Sequence, residues 1–211
     1  MREGNDLAEL IAAAADLEDG DVVVVAHKVV SKAEGRVVRL AEVEPSAQAR
    51  DLAADEDPRR LEVILRESAR IVRARPPLVI AETRLGFVCA SAGVDASNAP
   101  EAETVVLLPE DPDASAARLR DRLRQLTGAD VAVIVSDSFG RAWRQGTTDV
   151  ALAGYELHAT VIAVADELAG AAELVKGKLD AVPAAVVRGF DRRGEGTARE
   201  VVMPPERDLF R

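Results

Sequence analysis

The run Val22-Val23-Val24-Val25-Ala26, entered through the turn Asp19-Gly20-Asp21, constrains this chain more than any other feature. A strand sends successive side chains to opposite faces, so a run without polar alternation is apolar toward both and reads as a strand buried within a sheet. Such a strand needs cover, and the chain can provide it. Its 211 residues are 48% hydrophobic, enough for one large domain or two small ones with a genuine core.

Further elements follow from periodicity and punctuation. Asp6 to Leu17 places Leu7, Leu10, Ile11 and Ala14 on one helical face. Pro58 suits the first turn of a helix running to Arg73, with Leu61, Ile64, Leu65 and Ile71 as its stripe. Strands are expected at Pro77 to Ala81, Gly86 to Ala90, Thr104 to Leu108, Val131 to Val135, Thr160 to Val164 and Ala184 to Val187. Asp111-Pro112-Asp113 opens an amphipathic helix carrying Leu119, Leu123 and Leu126, which closes near Gly128. Another helix spans Asp166 to Val175, with Asp166 as its N-cap, and the charged, Gly-rich stretch Gly189 to Gly196 reads as a loop. Strands and helices mix without strict βαβ alternation, which predicts an α+β or mixed α/β fold. Neither a repeat nor a low-complexity linker divides the chain, so residues 1–211 read as one domain.

Charge narrows the partners. A net charge of −10 argues against nucleic acid, which requires a basic face. Local cationic clusters therefore stand out. With Cys89 alone, no intrachain disulfide is available and a reducing compartment is expected. The chain opens without a basic-then-apolar leader and contains no run approaching the roughly 20 apolar residues of a membrane span, so a soluble cytoplasmic protein is expected.

Four segments carry candidate chemistry. Lys28 to Arg36 gathers Lys28, Lys32, Arg36 and Ser31 directly after the buried strand, a supply of cations suited to polyphosphate; the alternative is a solvated cationic turn. It lacks the spacing of a Walker A loop. Gly93 to Pro100 brings Asp95, Ser97 and Asn98 together, hard oxygen donors suited to magnesium or manganese, yet equally ordinary turn formers. Ser136-Asp137-Ser138-Phe139-Gly140-Arg141-Ala142-Trp143-Arg144 follows a strand, where ligand sites of α/β sheets concentrate. There Asp137 and Ser138 could hold a metal while Arg141 and Arg144 clamp phosphate; the competing reading makes Trp143 core and both arginines surface. Finally, Asp166-Glu167 and Lys176-Gly177-Lys178 read as the charged ends of one helix. His27 and His158 lie far apart with no evident Ser or Cys partner, and Cys89 reads as core, so a hydrolase triad has little support.

Taken together, these segments resemble the coenzyme F420-0:L-glutamate ligases, the gamma-glutamyl ligases. The likeness runs through Lys-Val-Val-Ser-Lys-Ala-Glu-Gly-Arg at 28–36, Glu-Thr-Arg-x-Gly-Phe-Val-Cys-Ala at 82–90 and Gly-Val-Asp-Ala-Ser-Asn at 93–98. It continues through Leu-Pro-Glu-Asp-Pro-Asp at 108–113, Ser-Asp-Ser-Phe-Gly-Arg-x-Trp-Arg at 136–144, Ala-Asp-Glu-Leu-Ala at 165–169 and Asp-Leu-Phe-Arg at 208–211. The resemblance implies a cytoplasmic, homodimeric, GTP-dependent ligase that joins L-glutamate to a deazaflavin precursor through an acyl phosphate, with later gamma-linked additions. It also implies two magnesium or manganese ions. Asp95 and Asp137 then correspond to ligands of one ion and Ser138 to a ligand of the second. Ser31, Lys32, Arg36 and Asn98 correspond to nucleotide contacts, and Arg141 and Arg144 are assigned to the same phosphate-rich site as candidate catalytic residues. Departures accompany the likeness. The chain begins just after the family's N-terminal strand and is short between Asp149 and Thr160. Ala142 also stands where Pro is usual, and Lys176-Gly177-Lys178 replaces a more typical Met-Gly-Lys/Glu. The alternatives are a related ligase with another amino acid or acceptor, and a non-catalytic nucleotide-binding module.

Overall fold

The computed structural model describes residues 1–153, 163–177, 182–190 and 202–208. It divides into two compact units: Met1–Glu34 with Pro109–Met203, and Gly35–Leu108 with Pro204–Arg211.

In the first unit, strand β1 (Val22–Ala26) lies inside a sheet ordered β8-β7-β1-β9, formed with β7 (Ala132–Arg141), β8 (Arg144–Ala153) and β9 (Ala184–Val187). β1 runs parallel to β7 and antiparallel to β9, while β7 and β8 form an antiparallel hairpin. Val22 and Val24 pack with Ile134 against Val164, Ala165, Leu168, Ala169 and Ala172 of helix α6 (Val164–Lys176). Val23 and Val25 face the opposite layer, with Ile11 of α1 (Leu7–Ala14) and Leu119 and Leu123 of α5 (Pro112–Thr127). All four valines are 0% exposed, so the apolar run is explained by cover on both faces. Each buried Val side chain contributes about 1.5–3 kcal/mol over an exposed one.

The second unit contains antiparallel sheets only, among its described residues. β2 (Val37–Arg39) pairs with β6 (Thr104–Val106), and β3 (Ser68–Arg75) pairs with β4 (Leu78–Thr83), which pairs with β5 (Val88–Ala90). Their core is closed by Ala49 and Ala53 of α3 (Ala47–Ala53) and by Leu61, Val63 and Ile64 of α4 (Pro58–Glu67). Parallel and antiparallel pairing beside helices makes the fold α+β with a mixed α/β sheet, as expected.

Several boundaries differ from the sequence expectation. α4 ends at Glu67 rather than Arg73, because the Ser68 hydroxyl donates to Ile64 O at 2.6 Å and the backbone turns extended. Residues 68–75 then find ladder partners in β4, which override the helical spacing of Ile71. α1 stops at Ala14, where the next residue is extended. The cationic segment after β1 is helix α2 (His27–Ala33), not a turn, and Gly35 supplies the positive φ of 71° that follows it. β7 does not end at Val135. It continues to Arg141 and turns back through Ala142 and Trp143, so the Ser136–Gly146 segment is a hairpin rather than a post-strand loop. The strand expected at Thr160 to Val164 falls largely outside the described residues, as does His158, and Val164 itself begins α6. No helix among the described residues is long and apolar enough to cross a membrane.

Leu123 is 0% exposed between α5 and the sheet, whereas Gln125 faces solvent on the same helix. Leu123→Ala should lower unfolding free energy by about 2–5 kcal/mol in urea titration. Gln125→Ala should change it by no more than about 0.5 kcal/mol.

Candidate active site

Because β1 and β7 are parallel and in register from Val22↔Ala132 to Ala26↔Ser136, their carboxyl ends share one sheet edge. Beyond it β1 becomes α2, and β7 continues as Ser136-Asp137-Ser138. Strand alternation then divides this tripeptide between the two sheet faces.

Asp137 meets α2. Its Oδ1 accepts the Ser138 backbone N–H at 2.8 Å and lies 3.2 Å from Nε2 of His27, without the alignment of a hydrogen bond. The other ring nitrogen, Nδ1, lies 3.4 Å from the Ser31 hydroxyl. His27 and Ser31 are buried, at 1% and 0% exposure, so His27 does have a Ser partner one helical turn away. This Ser-His-Asp contact places its serine away from solvent, where it cannot attack a substrate.

Ser136 and Ser138 meet Asp149 of β8 and Lys176 in the last turn of α6. Ser136 Oγ donates to Asp149 Oδ2 at 2.8 Å, and Ser138 Oγ donates to Asp149 Oδ1 at 2.7 Å. Lys176 Nζ donates to Asp149 Oδ2 at 2.9 Å and to Ser136 Oγ at 3.0 Å, and lies 3.4 Å from Glu173. Side-chain exposure is 2% for Lys176 and 3% for Asp149, so the pair is sealed from water. Burial pushes the Asp149 carboxyl up, but Lys176, Ser138 and Ser136 together outweigh it and hold the group below its ordinary 3.8. Lys176 is therefore a buried partner rather than the solvated helix terminus expected from sequence. Asp166 is not the N-cap of α6, a position held by Ala163. It accepts the Ala151 backbone N–H at 2.9 Å, and burial, with the neighbouring Glu167 charge, pushes its carboxyl up despite that bond.

The remaining site residues are distributed as follows. Lys32 is half-buried on α2, and burial together with the charge of Lys28 holds its amine below the ordinary lysine value. Arg141 and Arg144 flank the exposed hairpin turn, where Arg141 Nη2 donates to Gln145 O at 3.1 Å. Trp143 is 85% exposed with φ 59°, so it is not the core residue of the competing reading. Arg36, Asp95 and Asn98 belong to the second unit. Arg36 donates to Leu108 O at 3.0 Å and to Glu67 at 2.8 Å. Asp95 bridges Val106, and its Oδ1 accepts the Ser97 N–H at 2.6 Å, the geometry of a turn-forming aspartate. Asn98 is exposed at φ 55°.

Sequence reasoning set His27 aside for want of a partner, gave Ser136 only as part of its motif, read Lys176 as a helix end, and offered no role for Asp149. Lys176 had a signal: Ala165, Ala169, Ala172 and Lys176 follow the i, i+4, i+7, i+11 spacing of one helical face, and all are buried. Asp149 had none, because β8 was not foreseen as the partner of β7.

The donor set bears on metal binding. Ser138 gives its only hydroxyl hydrogen to Asp149 and retains oxygen lone pairs, while Asp137 carries a carboxylate at 15% exposure. No cluster of three or more His, Cys, Asp or Glu that could cage a metal occurs among the described residues. A carboxylate and a hydroxyl that accepts are hard oxygen donors, the type that magnesium and manganese take alongside water and phosphate.

The family model F420-0:Gamma-glutamyl ligase matches residues 1–189. The coenzyme F420:L-glutamate ligase of Methanopyrus kandleri is 49% identical over 236 aligned positions, covering 100% of this chain and 93% of that protein. Proteins of the same name from Methanothermobacter thermautotrophicus and Archaeoglobus fulgidus are 42% and 41% identical, covering 99% and 100% of this chain and 93% and 92% of their own lengths.

Removing one partner of the sealed pair leaves an uncompensated buried charge. Lys176→Met should lower unfolding free energy by about 3–5 kcal/mol, read by chemical denaturation at neutral pH. The sign of the pH effect follows from Asp149. Its carboxyl is held below 3.8 in the folded chain, so its contribution is present above that value and fades as pH falls through the lower folded value. Acid titration of the melting temperature should accordingly show a smaller decline for Asp149→Asn than for the unaltered chain.

Proposed function

The chain belongs to the F420-0:gamma-glutamyl ligase family, and from that premise we propose that it joins L-glutamate to a deazaflavin coenzyme precursor in F420 biosynthesis. One observation carries the chemical part of this reading: Asp137 and Ser138 follow one another at the carboxyl end of β7, Asp137 beside His27 on one face and Ser138 held by Asp149 on the other. Each such oxygen suits a cation that neutralises phosphate charge, one ion at Asp137 and a second at Ser138.

The proposed reaction consumes GTP. The precursor's carboxylate oxygen attacks the terminal phosphorus, GDP departs, and an acyl phosphate forms. The glutamate amine then attacks the carbonyl carbon, inorganic phosphate leaves, the amine proton passes to solvent or a base, and an amide remains. Later rounds add gamma-linked glutamates. Reaction between anions is slow unless charge is neutralised and the reactants are aligned. A bound divalent ion supplies that neutralisation; two such ions are proposed, with magnesium and manganese as candidates. Asp137 and Ser138 are the first unit's proposed ligands. Lys32 on α2 is its proposed nucleotide contact, with Arg141 and Arg144 on the hairpin serving phosphate oxygens, whereas Ser31, which the resemblance also marks, is buried against His27 and supports α2 from beneath. Asp95, Asn98 and Arg36 of the second unit carry the family's pattern by resemblance. A homodimer and a cytoplasmic setting belong to the same proposal. A related ligase with another acceptor, or a nucleotide-binding module without turnover, would not add glutamate to this precursor.

Incubation of the protein with the deazaflavin precursor, GTP, L-glutamate and Mn2+ should yield products heavier by one or more glutamyl units in mass spectrometry. Asp137→Ala should reduce the rate by about a hundredfold or more, the scale of losing one preorganised electrostatic contact. GTP binding with no glutamyl product would overturn the ligase reading.

A further inference from the structure

The hydroxyl of Ser138 has one hydrogen, and Asp149 takes it at 2.7 Å. An ionised carboxylate has only acceptors to offer, so the hydrogen cannot be directed elsewhere while this contact holds. Ser138 can then meet a ligand only through oxygen lone pairs. Such a hydroxyl suits a cation and is unsuited to a phosphate oxygen, which requires a donor. Asp149 is itself immobilised: Oδ2 accepts from Ser136 and from Lys176, and both Asp149 and Lys176 are buried nearly completely. Ser138 remains only half-buried, so this cluster has one sealed end and one end open to a ligand.

We propose that Asp149, fixed in place by Lys176 and Ser136, is a positioning residue that makes Ser138 a cation ligand by holding its hydroxyl as an acceptor. The inference rests on the divalent-ion reading above and extends it to residues that touch neither metal nor substrate. It also gives the sealed Lys176–Asp149 pair a role that a simple staple between β8 and α6 would not have. A staple preserves the fold whatever Ser138 does. A positioning residue acts on metal binding only through Ser138.

The test uses the full chain with GDP and Mn2+ as probe, reading free Mn2+ by electron paramagnetic resonance. Asp149→Asn should weaken Mn2+ binding by about 10–100-fold, the usual effect of losing a residue that orients a metal ligand. Ser138→Ala should weaken it comparably, and the double variant should bind no more than about twofold worse than the weaker single variant. If Asp149→Asn fails to fold by circular dichroism, Asp149→Asn combined with Lys176→Met removes both charges and carries the same expectation. Unchanged Mn2+ affinity in the folded Asp149 variant, or an equal further loss added on top of Ser138→Ala, would overturn the proposal. Absence of Mn2+ binding by the unaltered chain with GDP would instead remove the divalent-ion reading, and the proposal with it.

Discussion

Two opposite charges enclosed beneath one sheet edge tie together elements that are otherwise held mainly by apolar contact. Lys176 and Asp149 are each almost fully withdrawn from water, and a lone charge in that position would cost several kcal/mol. Each therefore depends on the other, and α6, β7 and β8 depend on both. Ser136 completes the bonding at one carboxylate oxygen and Ser138 at the other. Apolar packing between α6 and the sheet is tolerant of small slips, but a 2.9 Å contact between buried ions is not. The polar cluster thus sets the position of the last turn of α6 against the hairpin.

The alternation of β7 gives this arrangement its second consequence. The strand carries apolar residues to both faces through Val135, and the same alternation continues once the residues become polar. Ser136 and Ser138 reach the face covered by α6, while Asp137 reaches the face covered by α2 and its His27. Adjacent side chains at one edge consequently meet different helices, while the Ser138 backbone N–H to Asp137 Oδ1 joins the two residues.

Much of this architecture was legible in the sequence, and the rest was hidden for identifiable reasons. The valine run announced a strand covered on both faces, and Asp111, Pro112 and Gly128 marked the ends of α5 closely. Helix α4 misled because Ile71 continues its stripe, whereas a local Ser68 cap and pairing with β4 decide the outcome. The hairpin was missed because its turn is Ala142-Trp143, without the Asn-Gly or Asp-Gly that usually signals one. Asp137 and Ser138 were visible as chemistry from their place after a strand. Their supporting residues were not, since Asp149 and Lys176 become partners only through β8 and α6. A lysine at a helix end is solvated far more often than buried, and only its place on the apolar stripe marked it otherwise.

The order of the elements along the chain bears on how the molecule is made. β1 is complete by Ala26, yet its parallel partner begins at Ala132. Between them lies the buried apolar cluster described in the second unit, from Leu40 to Leu107. During synthesis, the strands described in that unit, β2 to β6, are complete before Ala132 emerges, and β1 is still without its parallel partner. The four valines await ladder partners more than a hundred positions downstream. Until then the stretch that finally lies inside the sheet is exposed apolar surface, of the kind that makes a partly folded chain prone to aggregate.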